Sequence, residues 1–190
     1  MNMFQILMLG ITLYFAYQIY LHVSNLQDPQ EEQKPKPVPS IVDPEYLMNQ
    51  ADEAYEKGDY TTALKLLRDA HAKDRSNTEI LNKLGFILSK TAEYDEAISA
   101  YLESLEINSD DDTVHNAIAS VYRSMDDFEE AKKHYERALL IDDAYAISYF
   151  NFANLLVDMN EIEEAKVMYE KAIEIDSDFT QAKFELEKLK

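Results

Sequence analysis

The 190-residue chain contains no cysteine and no tryptophan, and only three glycines. Without a thiol it has no disulfide framework, no thiolate metal ligand and no lipid-modified N-terminal cysteine. Gly10, Gly58 and Gly85 stand far apart, so no glycine-rich loop cradles a phosphate. Positive charge is also scarce: 18 Lys and Arg face 37 Asp and Glu, for a formal net charge of −19. Residues 1–43 hold Asp28, Glu31, Glu32 and Asp43 against Lys34 and Lys36, net −2, which leaves −17 on residues 44–190. Such a field repels nucleic acid, whose binding relies on Lys and Arg replacing counterions. It suits a long solvated surface and a partner of basic character.

Catalytic constellations are missing as well. The four histidines, His22, His71, His115 and His134, are scattered and form no HExxH pair, so no metal site is expected of them. The acidic run Asp110, Asp111, Asp112 lacks the loop glycine and distal glutamate of a helix-loop-helix calcium site, and reads as a turn with a helix-capping aspartate. This inventory predicts no enzyme, no cofactor and no small-molecule substrate.

What the chain does have begins with an apolar run. Residues 3–23 read MFQILMLGITLYFAYQIYLHV, and no formal charge follows until Asp28. About 20 apolar residues cross a bilayer, and Tyr17 and Tyr20 stand where rings favour the headgroup region. No basic n-region or small-x-small cleavage site is present, so residues 1–23 are read as an uncleaved, single-pass signal anchor. Lys34 and Lys36 follow the span and incline the topology towards a cytoplasmic C-terminal domain, with the periplasmic orientation left open. Residues 24–43 form an acidic linker, and all five prolines of the chain, Pro29, Pro35, Pro37, Pro39 and Pro44, lie at or just after it. Its KPKPVP run favours extended polyproline II backbone and reads as a spacer.

From residue 44 onward, small residues recur at a fixed step. Ala63, Ala97, Ala131 and Ala165 stand 34 residues apart. Twelve residues upstream the same step picks out Ala51, Gly85, Ala119 and Ala153, and seven downstream Ala70, Ser104, Ala138 and Ala172. Large residues keep the phase too, with Leu67, Tyr101, Tyr135 and Tyr169 in one row and Tyr60, Tyr94, Phe128 and Ile162 in another. The pattern resembles the tetratricopeptide repeat family. That resemblance implies an all-α, right-handed superhelical solenoid of four helix pairs, residues 44–77, 78–111, 112–145 and 146–179. A polar capping helix is expected at 180–190, and the single transmembrane helix precedes the whole.

Gly58, in the first inter-helix turn KGDY, fits the left-handed conformation that ends a helix. The family's proline at the end of each second helix is replaced by Arg75, Ser109, Asp143 and Ser177. Less rigid turns are expected there, with Asp, Ser and Asn left to cap the next helix. His115 occupies a position where the family places a bulky core residue, so a packed histidine is expected.

Family geometry also implies a concave groove lined by the first helices. Its positions hold Met48, Asp52, Tyr55, Asn82, Phe86, Asn116, Ser120, Arg123, Phe150, Asn154 and Val157. Asn82, Asn116 and Asn154 are expected to meet the amides of an extended peptide, and Met48, Phe86 and Phe150 to offer apolar pockets. Some family members hold the C-terminal carboxylate of heat-shock chaperones with Lys, Asn, Asn, Lys and Arg. In the first-repeat register those positions here hold Met48, Asp52, Lys83, Thr113 and Ala117, and starting at the second repeat they hold Asn82, Phe86, Ala117, Ile147 and Asn151, so chaperone tails are not expected ligands. The layout is similar to that of small bacterial inner-membrane proteins with one anchor and a repeat domain. It predicts a membrane-anchored scaffold that binds another protein or peptide, in assembly of a cell-envelope complex; the alternative is a self-associating structural subunit.

Overall fold

The computed structural model describes residues 43–189. The expected anchor, at residues 1–23, and all of the linker except Asp43 lie outside the described residues. Among the described residues no helix is long and apolar enough to cross a membrane.

The described chain is entirely helical between turns. The helices are α1 (Pro44–Glu56), α2 (Tyr60–Lys73), α3 (Thr78–Lys90), α4 (Tyr94–Ile107), α5 (Asp112–Ser124), α6 (Phe128–Ile141), α7 (Ala146–Asp158), α8 (Ile162–Ile175) and α9 (Thr180–Lys188). Each odd-numbered helix packs most extensively against the even-numbered helix that follows it, and α9 rests on α8. Contacts also join α3 to α5 and α5 to α7, so first helices stand side by side along one face.

The small residues explain the close approach. Ala51, Ala63, Ala70, Ala97, Ala119, Ala131, Ala138, Ala153, Ala165 and Ala172 are fully buried, and Ser104 is 1% exposed. A larger side chain at any of them would force apart helices packed to the density of an organic crystal. Leu67, Ile80, Val114, Tyr135 and Tyr169 are buried with them.

The turns inside the helix pairs share one geometry. Gly58, Ala92, Asp126 and Asn160 take positive φ of 77°, 62°, 60° and 62°. The residue after each returns a backbone hydrogen bond into the preceding helix: Asp59 to Ala54, Glu93 to Leu88, Asp127 to Tyr122 and Glu161 to Leu156. This satisfies carbonyls that a helix end would otherwise leave open. Turns between pairs use a different device. Asp74, Asp142 and Asp176 accept hydrogen bonds from the backbone N–H two residues on, at 3.2, 2.8 and 2.9 Å. These side-chain turns hold the chain where the family's proline would stand. Asp43, Asn77 and Asp111 cap α1, α3 and α5 through their side chains, whereas α7 starts at Tyr145 with no side-chain cap.

In α9, Glu187 occupies the position held by Ala51, Gly85, Ala119 and Ala153 in the earlier first helices. The Lys188 ammonium covers the nearby Phe184 ring at 4.3 Å from its centroid.

Candidate functional site

The anticipated groove residues lie on the first helices α1, α3, α5 and α7, where the structure gives them distinct roles. Asp52 of α1 and Lys83 of α3 form a bridge at 2.9 Å across the first two repeats. Arg123 of α5 pairs with Asp158 of α7. Lys83 and Arg123 are each paired with a carboxylate from the adjacent repeat.

Aromatic residues divide between groove and core. Phe86 is 41% exposed, its ring 5.5 Å from that of Tyr55, which in turn stands 5.7 Å from Tyr60. Phe150 instead packs between Tyr169 and Phe179, with centroids at 5.8 and 4.9 Å. Val157 lies half-buried against the core of the last two repeats. Met48 is 8% exposed and belongs to the core of the first two repeats.

The asparagines are not equivalent either. Asn116 is 7% exposed, and its amide donates to the Asp112 carbonyl and to Ser148 Oγ of α7. It joins two first helices from inside and does not offer its donor to the groove. Asn82 is half-buried, and its Oδ1, like that of Asn116, has no hydrogen-bond partner. Asn154 accepts from Tyr169 Oη at 2.6 Å. Ser120 donates to the Asn116 carbonyl and shares a 2.9 Å hydrogen bond with Tyr135 Oη.

Between α3 and α5 the groove deepens into a cavity of about 320 Å³. Phe86 and Ser120 line it. Ser89, Lys90, Tyr101 and Val121 line it too, and periodicity alone does not single them out. The available signal was Phe86, which stands where Ser120 and Asn154 serve the tyrosines of later repeats. A second cavity, of about 450 Å³, opens at the start of α1 among Asp43, Glu45, Asp52, Asp74 and Glu79. Five carboxylates and the single lysine bridged to Asp52 make that end of the domain acidic.

Two histidines distant in sequence meet. His115 Nδ1 and His134 Nδ1 lie 3.0 Å apart across the α5–α6 seam, and the ring of Tyr122 stands 5.8 Å from that of His134. Burial lowers the pKa of both; Arg137 adds to the effect on His115, and His115 itself adds to that on His134. A packed, neutral pair results. No group of three or more His, Cys, Asp or Glu side chains is arranged for a metal among the described residues.

Comparison with known proteins agrees with this architecture. Comparison with curated protein sequences finds no match. Among solved structures, a MamA protein is 23% identical, with a TM-score of 0.67, over 77% of this chain and 80% of its own. MamA 41-end from Desulfovibrio magneticus RS-1 is 16% identical, with a TM-score of 0.68, over 77% of this chain and 82% of its own. The first TPR of Spaghetti (RPAP3), bound to HSP90 peptide SRMEEVD, is 25% identical, with a TM-score of 0.56, over 59% of this chain and 89% of its own. A family model described as tetratricopeptide repeat matches residues 76–139 and 110–178. The 34-residue register, the paired helices and this match, which together span more than half of the sequence, place the chain in the tetratricopeptide repeat family.

Proposed function

We propose that this chain is a membrane-anchored scaffold whose repeat domain holds an extended segment of a partner protein in the groove formed by α1, α3, α5 and α7, in assembly of a cell-envelope complex. The observation that carries the reading is the open cavity between α3 and α5, bordered by the exposed Phe86 ring in a face otherwise closed by inter-repeat ion pairs. An exposed aromatic ring beside a concavity is the common form of an interface anchor. The peptide held by the Spaghetti repeat domain gives a precedent for a ligand on this fold. Its chaperone tail is not carried over, because the positions of that clamp hold Met48, Asp52, Lys83, Thr113 and Ala117 here.

Basic residues of the partner would face the acidic cavity at the start of α1. The anchor is assigned to residues 1–23 from their uncharged apolar sequence, with the repeats on the cytoplasmic side. Affinity capture from detergent-solubilised membranes, with wild type and Phe86→Ala side by side, tests the groove. Loss of a captured protein with the Phe86 variant, at unchanged helicity, supports it; equal capture moves the binding surface elsewhere. A carbonate wash tests the anchor, since an anchored chain stays in the membrane pellet.

A further inference from the structure

The tyrosine row of the second helices is served unequally. Tyr135 Oη bonds Ser120, and Tyr169 Oη bonds Asn154. The residue that would serve Tyr101 is Phe86, which has nothing to offer a hydroxyl. Tyr101 is 4% exposed, yet among the described residues its hydroxyl has no hydrogen-bond partner. The hydroxyl end of its ring is pressed to the backbone of Gly85, beside the cavity that Tyr101 lines. Its oxygen keeps some access to that cavity, where a phenol without a protein partner is available to a ligand.

The rest of the lining says what that partner is. Ser89, Ser120 and Ser124 each donate to a backbone carbonyl of their own helix. Lys90 stands over the Phe86 ring at 5.4 Å from its centroid and, unlike Lys83 and Arg123, has no carboxylate partner among the described residues. The unused groups are therefore an ammonium, which can only donate, and a phenol hydroxyl, which can donate to an anion beside it, set against the apolar walls of Phe86, Ala117 and Val121. Two donors above an apolar wall match an anion on a hydrocarbon stem. The first helices α1 and α7 flank α3 and α5 in one row, so an extended chain laid across that row passes the cavity and does not end there.

Resting on the groove reading above, we propose that this cavity takes the side-chain carboxylate of an internal glutamate in the partner segment, with Lys90 pairing its charge, Tyr101 donating to it, and Phe86, Ala117 and Val121 covering its methylenes. The domain's overall negative charge does not prevent this, because exposed charges are screened beyond about 8 Å at physiological ionic strength.

The test uses the full chain in detergent micelles, with nuclear magnetic resonance signals from the Tyr101 ring and the Ala117 and Val121 methyl groups. Three probes are titrated: N-acetyl-glutamate α-amide, N-acetyl-glutamine α-amide and N-acetyl-leucine. The expected result is that capped glutamate shifts all three signals and binds about fivefold or more tighter than capped glutamine. Lys90→Gln abolishes that preference, and Tyr101→Phe, which keeps the ring, weakens capped glutamate several-fold. Equal binding of capped glutamate and glutamine overturns the proposal while leaving a groove ligand in place. N-acetyl-leucine binding the tightest overturns it in favour of a chain end. No shift with any probe also overturns it, and the capture experiment on Phe86→Ala then decides the groove reading separately.

Discussion

The ring of Tyr101 lies so close to Gly85 that a methyl group added at residue 85 would meet its Cε1 and Cζ at 2.7 Å. The equivalent positions, Ala119 and Ala153, carry that methyl group opposite Tyr135 and Tyr169, so the second repeat alone draws its tyrosine in against bare backbone. Gly85→Ala should therefore destabilise the domain by about 1–3 kcal/mol through overpacking, despite the better helix propensity of alanine. Urea denaturation of the two proteins measures this. An unchanged midpoint would show that the ring has room to withdraw.

The left-handed turns yield a change of opposite sign. Ala92 holds φ 62° at a position where Gly58 supplies the same conformation without a β-carbon. Left-handed backbone costs an L-residue about 1–2 kcal/mol, so Ala92→Gly should raise stability, by about 1 kcal/mol once the greater freedom of the unfolded glycine is offset. Gly58→Ala should lower it by a similar amount. Thermal melts of the two variants should move in opposite directions.

The histidine pair makes the third repeat sensitive to acid. Burial holds His115 and His134 below the ordinary imidazole pKa, helped at His115 by Arg137 and at His134 by His115. The unfolded chain therefore takes up these protons first as pH falls. The pair's contribution to stability is intact above the unfolded value of about 6.5 and is lost as pH falls below it through the lower folded values. Asp111 and Asp110 near His115 and Glu130 near His134 oppose the shift, and Lys133 reinforces it at His134. Melting temperature should fall as pH is lowered from about 6.5, and fall less in His134→Gln. Parallel curves for the two proteins would remove the pair from the account.

Asn116 and Ser148 connect α5 to α7 from within. Asn116→Ala leaves the fully buried Ser148 hydroxyl without its partner, at a cost of about 1–3 kcal/mol. The double variant with Ser148→Ala should recover part of that loss, because neither group is then stranded. A double-mutant cycle with coupling of about 0.5 kcal/mol or more identifies the bond as a link between repeats; simple additivity would dismiss it.

The fold was readable because repetition fixes the register many times over. Ala63 is ambiguous alone, but Ala97, Ala131 and Ala165 repeat the same requirement, and every row of small residues falls in a helix seam. Groove positions were less readable, since register gives a direction and not a depth. Asn82 and Asn116 occupy the same position, but Ser148 on the next first helix draws Asn116 inward. Phe150 resembles an exposed anchor until Phe179 closes over it. The meeting of His115 and His134 depends on two helices at once, and neither helix contains the information separately. The apolar run at residues 3–23 is plain in the sequence and lies outside the described residues.

The hydroxyl bonds at the tyrosine row also determine where the array loosens first. Tyr135 and Tyr169 fasten the two helices of the third and fourth repeats, whereas Leu67 carries no hydroxyl and Tyr101 leaves its own unused. In a stack whose members touch only their neighbours, unequal fastening becomes unequal opening. Amide exchange should accordingly be graded along the chain, with α1–α4 giving up protons to deuterium ahead of α5–α8. A ligand group seated on Tyr101 would supply the missing fastening, and its arrival would be recorded as slowed exchange in α3 and α4.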